Sequence, residues 1–422
     1  MAYRPRIIDA ELTASLRAAG AVLIEGPRAC GKTETARQAA RSEVLLDLDE
    51  QAQALAAIDP GLLLEGDTPR LIDEWQIVGS IWDHVRRAVD ARRAADPVTG
   101  VGQFILTGSA VPADDLTRHV GSGRFVRLRM RPMTLAEAGH STGSVSLASV
   151  LNGADVRATD PGLGFDRLLE LLCIGGWPGT LDASADDAQR VLRGYLSDVA
   201  RVDARRVDGA RRNPRLVDRL LRSLARNVAT ATPAANLRRD VNGDQGTHKD
   251  ETITAYLDAL ARLMVIEDLP AWAPSIRSRT RLRVTAVRHF VDPSLAIAAV
   301  RANPARLRRD LGWTGLLFEN LVIRDIRVFA EAHGGQVFSY RDESGLEADA
   351  VVETSDGRWA AFEVKIGPAK IEDAAQNLLR LKDRVDTAVA GEPVALVVVT
   401  GSGYGYTRPD GVSVIPIGAL GP

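Results

Sequence analysis

A glycine, four further residues and then Gly-Lys-Thr fill positions 26 to 33, as Gly26-Pro27-Arg28-Ala29-Cys30-Gly31-Lys32-Thr33. Glycines at this spacing let a turn aim successive backbone N–H groups into one hollow. A helix starting there adds the positive end of its dipole, so the stretch suits anionic phosphate. Lys32 can reach the β- and γ-phosphates of a nucleotide, and the Thr33 hydroxyl is a natural Mg2+ ligand. The chemistry implied is the binding of ATP with Mg2+. Lysine is scarce, accounting for five of the 53 basic residues, so its presence at the demanded position is informative. The apolar run Ala21-Val-Leu-Ile24 before the loop reads as a strand, and Thr33 to Arg41 after it reads as a helix.

Two acids close a second apolar run, Arg70-Leu-Ile-Asp73-Glu74. At a strand tip Asp73 can anchor Mg2+ through water, while Glu74 can polarise an attacking water. A third run, Phe104-Ile-Leu-Thr-Gly-Ser109, ends in hydroxyls, so Ser109 or Thr107 could sense the γ-phosphate; the alternative is a plain Thr-Gly-Ser turn. A separate constellation lies near the C-terminus. Glu363 and Lys365 alternate to one face of a strand, where Asp349 from a partner strand and Glu319 from a preceding helix can converge. Three acids beside one amine could hold a second Mg2+ and activate water for phosphodiester cleavage. The alternative is an exposed Glu363–Lys365 ion pair on an edge strand.

The elements that must position these groups follow from periodicity. Val44 to Asp49 reads as a strand, Ala52 to Leu64 and Ile77 to Arg93 as helices, and Phe125 to Leu128 as a last strand. Strands alternating with helices and phosphate at their carboxyl edge describe an α/β domain with a doubly wound parallel sheet. Ser141 to Asp160 is rich in small and polar residues and reads as a linker. Helices follow at Phe165 to Ile174, Ala188 to Val202 and Asn213 to Asn227. The order helix, loop, helix, short strand between Pro233 and Leu269 suggests a winged helix. In its wing, Arg277, Arg279, Arg281 and Arg283 recur at period two. They could grip nucleic-acid phosphates, or they could form a solvated strand face or an interdomain contact. From Leu316 onward the order is α-β-β-β-α-β, with Thr354-Ser-Asp-Gly357 as a hairpin turn. The domains expected are 1–140, 160–298 and 305–422.

The runs Ile105-Leu-Thr-Gly-Ser-Ala110, Leu116 to Arg124 and Leu128-Arg-Met-Arg-Pro-Met-Thr-Leu-Ala-Glu137 resemble a large family of AAA-type P-loop ATPases that carry a further C-terminal region. The resemblance extends to Gly175-Gly-Trp-Pro-Gly179, Gly194-Tyr-Leu-Ser-Asp198 and Phe290 to Ala296, and so covers nearly the whole chain. AAA-class members commonly use an arginine finger, which makes Arg124 and Arg118 candidates; the alternative for each is a salt-bridged surface arginine. The C-terminal order, with Asp on one strand and Glu-x-Lys on the next, resembles the PD-(D/E)xK nuclease fold, implying a restriction-endonuclease-like domain.

Composition bounds the rest. The 422 residues carry a net charge of −2, which excludes a globally basic nucleic-acid binder but leaves local basic patches open. Two cysteines cannot build a disulfide framework, and no run of eighteen apolar residues offers a membrane span. The start of the chain lacks the apolar stretch of a signal peptide, so a cytoplasmic location is expected. Together the sequence predicts an ATPase whose nucleotide state controls a nucleic-acid-binding or processing C-terminal region, with DNA favoured over RNA. A nucleotide-dependent scaffold with a catalytically inactive nuclease-like domain is the alternative. A protein partner and a homo-oligomer are compatible with both. A kinase would need an acceptor pocket and a lid, which no stretch signals.

Overall fold

The computed structural model describes residues 2–96, 100–110, 123–203, 212–243, 248–274 and 285–422. The chain divides into two compact units: Met1–Pro132 with Val202–Arg212 and Asp258–Met264, and Met133–Arg201 with Asn213–Leu257 and Val265–Pro422.

In the first unit, five strands form one sheet: β1 (Ala21–Glu25), β2 (Ser42–Leu45), β3 (Arg70–Asp73), β4 (Phe104–Gly108) and β5 (Phe125–Arg129). Their order is β2-β3-β4-β1-β5, and every pairing is parallel. Parallel strands covered on both faces read as continuous apolar runs, and Ala21 to Ile24 and Phe104 to Leu106 are all fully buried. Helix Ile81–Ala95 follows its apolar period through Ile81, Val85 and Val89 onto one face. On that face the Trp82 and Phe125 rings stack at 4.1 Å. The parallel sheet expected from the sequence is therefore present. Three helices are shorter than expected: the one after the loop spans Lys32–Arg37 instead of reaching Arg41, Glu50–Ile58 gives way to a 3-10 turn at Pro60–Leu64, and Ile81–Ala95 is preceded by another at Trp75–Val78.

The second unit opens on a correction. Residues 141–160, expected as a linker, hold β6 (Val145–Ser146), helix Leu147–Leu151 and β7 (Arg157–Ala158). Tertiary pairing organises this weakly periodic stretch: β7 joins the C-terminal sheet beside its penultimate strand, and β6 pairs with the last two-residue strand, β16 (Leu420–Gly421). Helices Phe165–Ile174, Ala185–Asp198, Pro214–Arg226, Ala234–Asn242 and Asp250–Arg262 come next. Strands β8 (Ile266–Leu269) and β9 (Val287–Phe290) then pair antiparallel. The arginines 277, 279, 281 and 283 assigned to a wing lie outside the described residues.

Helix Leu311–Glu331 leads into β10 (Gln336–Arg341), β11 (Glu347–Glu353), β12 (Trp359–Lys365), helix Ile371–Arg384, β13 (Ala395–Thr400), β14 (Gly405–Thr407) and β15 (Ser413–Pro416). The sheet order is β10-β11-β12-β13-β15-β14-β7. The α-β-β-β-α-β order thus holds through β13, and the sheet continues beyond it. Helix Ile371–Arg384 buries Ala374, Ala375, Leu378 and Leu381 against Val351, Ala361, Val398 and Val414 on one sheet face.

A buried charge network ties this unit together. The Arg324 guanidinium donates to Asp292 Oδ2 at 2.6 Å and to Asp325 Oδ1 at 2.8 Å. Asp292 also accepts from the Gly176 N–H at 2.9 Å, and Asp325 from the Leu135 N–H at 3.0 Å. Burial raises the Asp325 carboxyl to about 6 against the opposing pull of Arg324. Every member is paired, as buried charges must be.

Candidate functional sites

β1 ends at Glu25, and the chain turns at once into Gly26–Thr33 at the carboxyl edge of the sheet. Gly26 is pressed against β5's continuation: a Cβ there would come within 2.3 Å of the Met130 carbonyl oxygen. Gly31 takes φ 104°, where side chains are strained, and opens helix Lys32–Arg37. Ala29 also has positive φ, at 62°. Pro27 and Cys30 are buried, whereas Arg28 and Ala29 are exposed at the loop's tip. The Lys32 ammonium lies along the inside of the loop and donates to Gly26 O and Pro27 O, both at 3.0 Å. Arg6, which sequence reasoning missed, braces the loop from outside by donating to Cys30 O at 3.0 Å and Arg131 O at 2.8 Å.

β4 lies between β1 and β3, and this placement brings the predicted groups together. Thr33 Oγ1 donates to Asp73 Oδ1 at 2.9 Å, and the Thr107 hydroxyl, from β4, bonds the same oxygen. Burial holds the Asp73 carboxyl above its ordinary range; the bonds from Thr107 and Thr33 oppose this, while the charges of Glu74 and Asp47 add to it. The Glu74 N–H donates to Thr107 Oγ1 at 3.2 Å. Glu74 itself sits at φ 51°, ψ 47°, which turns its side chain off the strand. Its Oε2 accepts from the Ser109 hydroxyl at 2.7 Å and the Ser109 N–H at 3.3 Å, and from the Gln76 amide. Thr107 and Ser109 are therefore not a plain turn: each bonds one of the two acids. Thr33 and Asp73 form a pair of hard oxygens suited to Mg2+ completed by water and phosphate.

Arg124 stands elsewhere. β5 runs parallel to β1, with Ala21 opposite Phe125 and Glu25 opposite Arg129, so Arg124 precedes the amino edge of the sheet while the phosphate loop leaves its carboxyl edge. Five residues of strand separate the two edges by roughly 17 Å. Arg124 Nε instead pairs with Asp90 Oδ1 at 2.8 Å. Within the chain Arg124 is thus a surface ion pair, the alternative that the sequence left open, at the far edge of the sheet from its own phosphate loop. Arg118 lies outside the described residues.

In the second unit, Asp349 and Glu363 sit one step past the last ladder pair, Ala350 with Phe362. Asp349 Oδ2 accepts from the Val364 N–H at 2.7 Å. Lys365 Nζ reaches Glu363 Oε2 at 2.5 Å and Asp349 Oδ2 at 3.5 Å. Burial, then the charge of Asp349, pushes the Glu363 carboxyl up to about 7. Burial opposes the charge on Lys365, yet Asp349 and Glu363 hold its ammonium protonated beyond the usual range. Burial and Asp349 likewise raise Glu319, placing it within electrostatic reach.

Asp349, Glu363 and Lys365 thus meet, with Glu319 linked to them through charge alone. Among the described residues, no three His, Cys, Asp or Glu side chains form a group able to hold a metal ion. At the position expected for a second Mg2+, Lys365 bridges the Asp349 and Glu363 carboxylates. Asn377 was missed: its amide donates to Glu363 Oε1 at 2.7 Å and Glu347 O at 2.6 Å. A signal existed, since Asn377 falls three residues after Ala374 and four before Leu381, a polar residue beside a helix's buried stripe.

The parallel sheet, the loop after β1 and the acid-tipped β3 define a P-loop nucleotide-binding domain of the ATPase class. Residues 18–139 match an AAA domain family, residues 165–306 a domain of unknown function (DUF8612), and residues 314–420 another (DUF4143). Two relatives are uncharacterised mycobacterial proteins, Mb2031c of Mycobacterium bovis and Rv2008c of Mycobacterium tuberculosis. Each is 26% identical over 379 residues, covering 86% of this chain and 74% of the relative. Among solved structures, the Walker-type ATPase PABY2304 of Pyrococcus abyssi overlaps 69% of this chain and 94% of its own, at 14% identity and a TM-score of 0.43. AMPPCP-bound DnaA from Aquifex aeolicus overlaps 62% and 89%, at 13% identity and a TM-score of 0.27. At such low TM-scores neither likeness carries weight. No helix among the described residues is long and apolar enough to cross a membrane.

Proposed function

We propose that the chain is an Mg2+-dependent ATPase whose nucleotide state controls a nucleic-acid-binding C-terminal region. The observation that carries the first half is the meeting of Thr33, Thr107 and Asp73 beside a Glu74 held in place by Ser109. Magnesium, when bound, neutralises charge on the phosphates. Thr33 and Asp73 supply oxygens for it, and Lys32 exchanges its two carbonyl partners for phosphate. Glu74 orients a water and accepts its proton as the water oxygen bonds the γ-phosphorus and the bond to the ADP oxygen breaks. Phosphate release from ATP by wild type, and loss of ATP binding in Lys32→Ala measured by calorimetry, are the expected results. A wild-type chain that binds ATP and releases no phosphate would remove hydrolysis.

The second half rests on the convergence of Asp349, Glu363 and Lys365 at one end of the C-terminal sheet, and it predicts an affinity for DNA that differs between ADP and a nonhydrolysable ATP analogue. Lys365 bridges the carboxylate pair and offsets one of its two charges. Plasmid nicking with Mn2+ by wild type but not Asp349→Ala would instead establish cleavage. The same region used to hold a protein partner is the scaffold reading, and equal DNA affinity in both nucleotide states would favour it. The two cysteines, both free and buried, suit a reducing cytoplasm.

A further inference from the structure

Helix Pro214–Arg226 starts at a capped end: Asn213 Oδ1 accepts from the Arg215 N–H at 3.0 Å, and Pro214 takes the first helical position. Leu216, Val217, Leu220, Leu221 and Leu224 are all buried, so one half of the helix is locked into the core of the second unit. The other half carries Arg215, Arg219, Arg222 and Arg226, all exposed. Spacings of four, three and four residues put them in one strip about 60° wide that runs about 17 Å along the helix axis. Every exposed residue of this helix after Pro214 is charged.

The strip keeps a surplus of positive charge. Asp218, the one carboxylate on the helix, pairs with Arg222 at 2.9 Å. Asp240, from helix Ala234–Asn242, stands 4.0 Å from Arg226 and is already held by the Ser223 hydroxyl at 2.8 Å. Arg215 and Arg219 have no carboxylate within ion-pair distance among the described residues. Helix Ala234–Asn242 adds Arg238, paired with Asp250 at 2.8 Å, and Arg239, which donates to Asn236 Oδ1. Lys249 and Glu251, on either side of Asp250, cancel each other. Six arginines thus stand against three aspartates, on a chain whose net charge is −2.

We propose that the row Arg215, Arg219, Arg222 and Arg226 grips the phosphate backbone of double-stranded DNA. The inference rests on the reading of the C-terminal region as nucleic-acid-binding and names its phosphate-contacting surface. Phosphates of one strand recur at about 3.4 Å of duplex axis, so a row of this length spans several of them. The strip has no aromatic side chain on which an unpaired base could stack, which favours a duplex over a single strand. It also lacks the apolar or aromatic anchor on which a protein partner would centre, and the apolar half of the helix is buried instead of free to enter a membrane surface.

The test uses the full chain with a fluorescein-labelled duplex DNA oligonucleotide, followed by anisotropy between about 50 and 200 mM salt, in ADP and in a nonhydrolysable ATP analogue. Arg215→Gln/Arg219→Gln removes two charges without breaking an ion pair. The expected result is that it weakens binding about tenfold and makes the dependence of log affinity on log salt shallower by about two. Arg215→Lys/Arg219→Lys should keep the wild-type slope, and ATP hydrolysis without DNA should be unchanged in both variants. Arg167→Gln/Arg190→Gln, which removes two exposed arginines from other helices, should bind as wild type does. Wild-type slope and affinity in Arg215→Gln/Arg219→Gln, or an equal loss in Arg167→Gln/Arg190→Gln, would overturn the arginine row while leaving the nucleic-acid reading standing. A wild-type chain without salt-dependent affinity for the duplex in either nucleotide state would overturn both. Arginine-dependent binding of polyglutamate in place of DNA would also overturn both, in favour of an acidic protein partner.

Discussion

The Ser109 hydroxyl donates to Glu74 Oε2 at 2.7 Å, joining the tip of β4 to the residue just past β3. The Ser109 N–H and the Gln76 amide bond the same oxygen, so the carboxylate is held in one direction before any nucleotide arrives. Hydrolysis needs that carboxylate aimed at a water, and Ser109 is the residue that sets its aim.

Glu74→Gln should keep ATP affinity and trap ATP, since the amide keeps its size but cannot accept the proton. Ser109→Ala should lower kcat about tenfold with little change in ATP affinity, because it loosens Glu74 without touching the phosphate loop. Steady-state phosphate release with a parallel binding titration checks both. Wild-type hydrolysis by Glu74→Gln would show that another group polarises the water.

Arg124→Ala should leave kcat within about twofold of wild type at protein concentrations where the chain is monomeric, because Arg124 stands at the far edge of the sheet from the loop. A steep loss of kcat under those conditions would contradict the edge assignment. A loss confined to high protein concentration would identify a finger supplied by a second copy.

Arg324→Met should destabilise the second unit by about 3–5 kcal/mol, because it leaves Asp292 and Asp325 buried without their shared cation. Urea unfolding monitored by tryptophan fluorescence reads the loss. A change below about 1 kcal/mol would mean that the two carboxylates find other partners.

His289 is 2% exposed, and neither ring nitrogen has a hydrogen-bond partner among the described residues. Burial, with Arg327 nearby, holds its pKa down to about 3. As pH falls from about 6.5 towards 3, the unfolded chain takes up a proton that the folded chain refuses, so stability drops across that window. His289→Leu should remove this part of the slope, narrowing the gap between melting temperatures at about pH 7 and about pH 4.5. An unchanged gap would show that His289 does not drive the loss.

Much of the phosphate site was legible because its parts are local. Gly26 to Thr33 is one continuous turn whose glycines are needed for backbone reasons, and Asp73 and Glu74 are adjacent at a strand tip. The C-terminal residues were legible because Glu363 and Lys365 share a strand face by alternation alone. Asn377 escaped because its bond to Glu363 spans a crossover helix. Strand β7 escaped because two residues, Arg157 and Ala158, carry no periodicity until β14 pairs with them.

Arg124 marks the boundary between the two kinds of information. The sequence by itself determined that a P-loop and an acid-tipped strand exist, because each is set by residue types a few positions apart. Which arginine lies near the phosphates depends on the direction and neighbours of β5, which only the assembled sheet decides. Strand order also put β4 between the loop and the acids, turning Thr107 and Ser109 into the groups that hold Asp73 and Glu74. That same long-range geometry brought Lys365 over Asp349 and Glu363 as a bridging cation.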